Sequence, residues 1–104
     1  MPKFLYVFHG GGMPETEAAQ QQAMTDWGSW YEAMGPKVVD GGAPVGMSHT
    51  VSRGGHVENG GANPASGYTV VMADDHAEAC EMAKGCPMVV DGSGSVEVAQ
   101  IMEM

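Results

Sequence analysis

The opening run Lys3-Phe4-Leu5-Tyr6-Val7-Phe8-His9, which passes straight into Gly10-Gly11-Gly12, restricts the fold more than any other stretch of the chain. Read with the period of two of a strand, it puts Phe4, Tyr6 and Phe8 on one face and Leu5, Val7 and His9 on the other. Both faces are apolar until the last residue, so the strand calls for cover on two sides. It ends in a histidine where glycine-rich backbone lets a ligand approach closely.

Downstream signals fix the order of the remaining elements. Pro14-Glu15-Thr16-Glu17 marks a helix start with Thr16 as the N-cap. From Glu17 to Met34, the residues Ala23, Met24, Trp27, Trp30, Tyr31 and Met34 recur at spacings of three and four, which predicts an amphipathic helix stopped by Gly35-Pro36. Gly28 between the two tryptophans reads as a close-packing position, since glycine inside a helix costs about 1 kcal/mol relative to alanine. Lys37-Val38-Val39-Asp40 is a short strand that leaves through Gly41-Gly42. Between Val45 and Pro64 the chain holds at most a loose hairpin around Arg53-Gly54-Gly55. The β-branched stretch from Gly67 to Ala73 reads as a central strand. Asp74-Asp75-His76-Ala77-Glu78 opens a second helix with an aspartate cap, and Gly85 and Pro87 end it. Ser95 to Met102 is the last strand.

Two right-handed strand-helix-strand units in this order predict an α+β class fold: a ferredoxin-like split βαβ (βαββαβ), with an antiparallel sheet and two helices on one face. The helices cover one side of the first strand and leave the other open. A second copy is the economical cover, which gives a two-fold homodimer joined through its sheet faces.

Composition narrows the function. A chain of 104 residues is a single domain, 1-104, with room for one core. Thirteen acidic residues against four basic ones give a net charge of -9, which argues against nucleic-acid partners and against anionic membrane surfaces. The apolar run from Phe4 to Phe8 is too short for a signal-peptide core and nothing approaches a membrane span, so a soluble cytoplasmic protein is expected. With Cys80 in a helix and Cys86 just past its end, the two stand about 9 Å apart, too far for a disulfide. No cofactor is expected and no metal site: His49 and His56, seven residues apart, make no ligand signature, and the ten methionines are scattered as core filling.

In this order the residues resemble the YCII-related family and its DGPF-type members. The likeness runs through FLYVFHG, the aromatic-rich helix before Gly35, the VVDGGAP strand exit, and SGYTVVMADDHAEACEMAKGCP followed by SVEVAQIMEM. It implies a dimeric α/β barrel. Two departures accompany it. The DGPF signature is replaced by Glu58-Asn59-Gly60-Gly61-Ala62-Asn63-Pro64. The helix-one histidine of the family's proposed catalytic pair has no counterpart, since its place falls near Thr25 or Asp26. The resemblance thus implies fold and dimer, not a reaction.

Candidate site residues are few. His9, an imidazole beside three glycines, suits general acid or base work at neutral pH, and Asp40 at a similar strand exit would orient it. Against this, His9 can satisfy a loop carbonyl and Asp40 can cap its own turn. Trp27, Trp30 and Tyr31 cannot all face one way, so one tryptophan covers core and the other lines a pocket or a dimer edge, and against this core packing alone explains both tryptophans. His49 lies in the long loop, a candidate lid carrying polar groups to a ligand. Gly10-Gly11-Gly12 is similar to a phosphate-binding loop but lacks either nucleotide pattern. Two functions follow: a homodimeric small-molecule-binding domain without an assigned reaction, or a lyase or isomerase type of enzyme with His9 as general acid/base.

Overall fold

The structure, a computed structural model, describes residues 1–11, 15–58 and 63–103, the side chains of 56–58 aside. Its elements are β1 (Lys3–Gly10), α1 (Glu17–Met34), β2 (Val38–Pro44), β3 (His49–Ser52), β4 (Gly55–Glu58), β5 (Ala65–Met72), α2 (His76–Ala83), α3 (Pro87–Val90) and β6 (Gly94–Gln100). The main sheet has the strand order β2-β5-β1-β6 and is antiparallel throughout. This α+β arrangement is compatible with a ferredoxin-like fold.

Alternation along β1 decides what the helices cover. Phe4, Tyr6 and Phe8 are buried, and beneath them Tyr6 stacks on Trp30 of α1 with ring centroids 6.0 Å apart. The Tyr6 hydroxyl donates to the Ala79 carbonyl of α2, and Trp30 Nε1 donates to Met82 O at 2.9 Å. Hydrogen bonds thus anchor α2 to the sheet face and α1 to α2, in addition to the apolar area they bury. Burial of the Tyr6 phenol raises its pKa, which keeps it a donor.

Helix ends follow from local chemistry. Thr16 Oγ1 accepts from the Ala19 amide, and Asp75 caps α2 by accepting from Glu78 N–H. α2 closes at Ala83 with Lys84 as its C-cap, ahead of the expected stop at Gly85 and Pro87, and Pro87 instead starts α3, because a proline at the first helical position lacks only an amide that would have no partner there. That short helix is absent from the sequence reading.

Two packing expectations need correction. The three aromatic residues of α1 do not diverge: Trp27, Trp30 and Tyr31 form one cluster with centroid separations of 5.6, 5.2 and 6.2 Å. Nor is Gly28 a close-packing position, since a Cβ built there meets nothing within 4 Å. Gly28→Ala is accordingly expected to raise stability by about 1 kcal/mol, read as a higher urea midpoint at unchanged slope.

β2 continues through its glycines to Pro44, farther than expected, by shifting register on β5 between Val38 and Asp40 and again between Asp40 and Ala43. The stretch assigned at most a loose hairpin holds a regular one, β3 paired with β4 around Arg53-Gly54.

Candidate functional site

Register places the side chains of the sheet's other face. Leu5 lies opposite Val70 and Ala99, Val7 opposite Tyr68 and Glu97, and His9 opposite Ser95. At His9 the ladder with β5 skips Ser66, so a bulge adjoins the histidine. Among the described residues no helix covers this face, because α1 and α2 pack on the side of Phe4, Tyr6 and Phe8.

His9 is held at both ring nitrogens. Nδ1 lies 3.2 Å from the Pro64 carbonyl oxygen and Nε2 lies 2.9 Å from Glu97 Oε1. A carbonyl can only accept, so Nδ1 carries a hydrogen, and Nε2 completes a charge-assisted bond when it carries one too. The Glu97 bond is the main cause that raises the His9 pKa above its ordinary value; desolvation opposes it and the Pro64 carbonyl assists. The His9 side chain is 11% exposed and that of Glu97 66%. Once His9 loses its second proton, the Nε2 lone pair faces a carboxylate, and the exposed Glu97 can swing away to leave a free base. The pair can thus store or release one proton, at a pH above the ordinary histidine value.

The sign of its pH dependence follows from the raised pKa. The pair's contribution to stability is fully present below the unfolded histidine pKa of about 6.5 and is lost as pH rises through the folded value. Glu97→Gln is expected to move the His9 titration in an NMR experiment down toward that ordinary value and to flatten stability between the two pKa values. An unmoved titration would show that Glu97 is not its partner.

Asp40 does not meet His9. Its Oδ1 accepts from Gly42 N–H at 2.9 Å, so the carboxylate caps its own turn. It sits opposite Val70, level with Leu5, which is four residues from His9, about 13 Å along the strand. Glu97 has the place expected of Asp40. The alternation in Val96-Glu97-Val98 marks Glu97 as outward-facing, but its pairing with β1 depends on the turn at Gly92 to Gly94, which the sequence leaves free.

The aromatic residues of α1 stand on the far side of the sheet from His9. Trp30 is buried in the core, Trp27 packs edge-on against Phe8 at 5.2 Å, and the Tyr31 hydroxyl donates to Thr69 Oγ1 at 2.7 Å, which donates on to Gly41 O at 3.0 Å. They share no pocket with the histidine. His49 is exposed at the start of β3. The His56 side chain, Gly12 and positions 59–62 of the segment replacing DGPF lie outside the described residues. In the glycine loop, Gly11 N–H donates to Ser93 O at 2.9 Å, which occupies an amide that a phosphate would need. His76 is exposed and its Nε2 lies 2.9 Å from the Val98 carbonyl oxygen. Cys80 is exposed and Cys86 buried, both free thiols.

At the strand end that follows His9 lies an open pocket of about 370 Å³, lined by Gly10, Val45, Met47, Ser48, Pro64 and Ser66 among others. Its wall includes Pro64, the residue that orients the imidazole. The hydroxyls of Ser48 and Ser66 are buried without a hydrogen-bond partner among the described residues. Such orphan groups cost about 1–3 kcal/mol each. Among the described residues no group of three or more His, Cys, Asp or Glu side chains converges as a metal site, and no helix is long and apolar enough to cross a membrane. No protein-family model, curated protein or solved structure matches this chain.

Proposed function

We propose that the chain is a cytoplasmic, homodimeric small-molecule-binding domain of YCII-related type, in which two copies meet through their open sheet faces to form a dimeric α/β barrel. The observation that carries the binding reading is the open pocket at this end of the sheet, lined by Gly10 next to His9 and by Pro64, whose volume of about 370 Å³ falls within the range of small-ligand sites. Apolar walls from Val45, Met47 and Pro64 suit a compact hydrocarbon body. An imidazolium at the edge, with two serines in the wall, suits a carboxylate or carbonyl head. Thermal shift with small aromatic and aliphatic carboxylates, benzoate among them, is expected to stabilise the wild type and not His9→Gln. Absence of any shift across the panel would overturn the reading.

The dimer reading rests on the uncovered residues Leu5, Val7, Tyr68 and Val70. Leu5→Glu places a charge at the centre of that face, and sedimentation velocity should then show a monomer with unchanged circular dichroism. A variant that stays dimeric would remove the sheet-face interface. A second reading, a lyase or isomerase with His9 as general acid/base, is favoured by the carboxylate-paired imidazole itself. It requires turnover that His9→Gln abolishes and Asp40→Asn leaves intact.

A further inference from the structure

The hairpin β3–β4 is a two-stranded sheet separate from the main one, and all four residues of β3 are exposed. Such a hairpin is marginal in water unless a further strand or apolar cover supports it. Apolar groups on the arm and at its base stand in solvent, Val51 at 79% exposure and Met47 at 76%. The arm extends the molecule: the radius of gyration is 14.7 Å, against about 13 Å for a compact domain of this length. At its turn sits Arg53, the single arginine of the chain, with no ion pair among the described residues.

One chain thus leaves both an exposed arm and a sheet face that carries no helix among the described residues. A two-fold axis satisfies both with a single reciprocal contact, whereas an unrelated partner would need a separate surface for each. The charge match is local. The chain's net charge of -9 opposes self-association, but the arm carries the lone arginine, and the rim of the open face displays Glu97, which uses Oε1 on His9. A guanidinium fork matches a carboxylate and can share it with the imidazolium. Within one chain Arg53 makes no ion pair with Glu97, whose partner among the described residues is His9.

We propose that the hairpin arm of each copy docks on a second copy of this chain and sets Arg53 against the rim carboxylate Glu97 beside His9, so that the site is incomplete without the neighbouring arm. The inference rests on the two-fold dimer proposed above and adds to it a cross-subunit contact at the site.

Sedimentation velocity on the full chain tests it. Arg53→Glu is expected to raise the dimer Kd roughly tenfold or more, and adding Glu97→Arg to the same chain should restore it to within about threefold. Replacing 49–58 by a Gly-Ser-Gly linker should dissociate the dimer, with folding checked by far-UV and tryptophan near-UV circular dichroism. If that variant does not fold, the exposed Arg53→Glu and its charge-swapped rescue carry the decision. An unchanged Kd in Arg53→Glu, or failure of the swap to rescue, overturns the proposal. If Leu5→Glu dissociates the dimer while the arm variants do not, the arm contact is wrong and the sheet-face dimer stands. If the arm variants dissociate it and Leu5→Glu does not, the arm contact stands and the sheet-face dimer is wrong. A wild type that is monomeric at about 0.1 mM overturns both.

Discussion

Trp30→Ala is expected to lower the unfolding free energy by about 3–5 kcal/mol, a large share of the roughly 5–15 kcal/mol that holds a small domain. The loss has three parts. Trp30 is 6% exposed, so nearly its whole indole leaves an apolar site. It stands between rings on several sides, with Tyr6, Phe8, Trp27 and Tyr31 at centroid distances of 6.0, 6.1, 5.6 and 5.2 Å, and rigid rings collapse poorly into a void. Its Nε1 donates to the Met82 carbonyl, which the substitution leaves without that donor. Urea unfolding followed by circular dichroism measures the change. Trp27→Ala is the comparison: Trp27 is only half-buried and makes no such bond, so its cost should be clearly smaller. Equal losses would show that the cluster, and not the Trp30 anchor, sets the stability.

The same residues show which parts of the structure the sequence could announce. Alternation in β1 separated Phe4, Tyr6 and Phe8 from Leu5, Val7 and His9, and that separation is the one observed, because a strand has no other way to distribute side chains. Thr16 and Asp75 were legible as caps because capping is a contact between residues three apart. The errors arise where distant segments meet. The rings of α1 converge because α1, β1 and the Met82 end of α2 close around Trp30, which helical spacing alone does not convey. The pairing of His9 with Glu97 rather than Asp40 depends on two registers, one set by a bulge at Ser66 and the other by the turn before β6. Bulges and turn lengths are decided by a few glycines and leave no periodic trace.

Gly42→Ala is expected to be as damaging as the loss of a core tryptophan, although it adds one methyl group at the sheet's edge strand. Gly42 has φ +68, a conformation that costs other residues about 1–2 kcal/mol. A Cβ there would overlap the carbonyl oxygen of Tyr68 on β5, which is backbone and cannot rotate aside. Relief requires β2 to move off β5. That motion withdraws the Gly41 carbonyl from Thr69 Oγ1, and Thr69 is fully buried with Tyr31 donating to the same hydroxyl. Losing a buried hydrogen bond adds about 1–3 kcal/mol, so a total of roughly 3 kcal/mol or more follows. Gly41→Ala is the internal control, because a Cβ at Gly41 meets nothing within 4 Å, and it should cost less than about 1 kcal/mol. Hydrogen exchange locates the damage: Gly42→Ala should release amides of β2 and β5 while those between β1 and β6 remain protected. Equal stability of the two alanine variants would mean that β2 yields freely at its glycines. Unequal stability places the demand at Gly42, whose N–H donates to the Asp40 carboxylate that holds the turn.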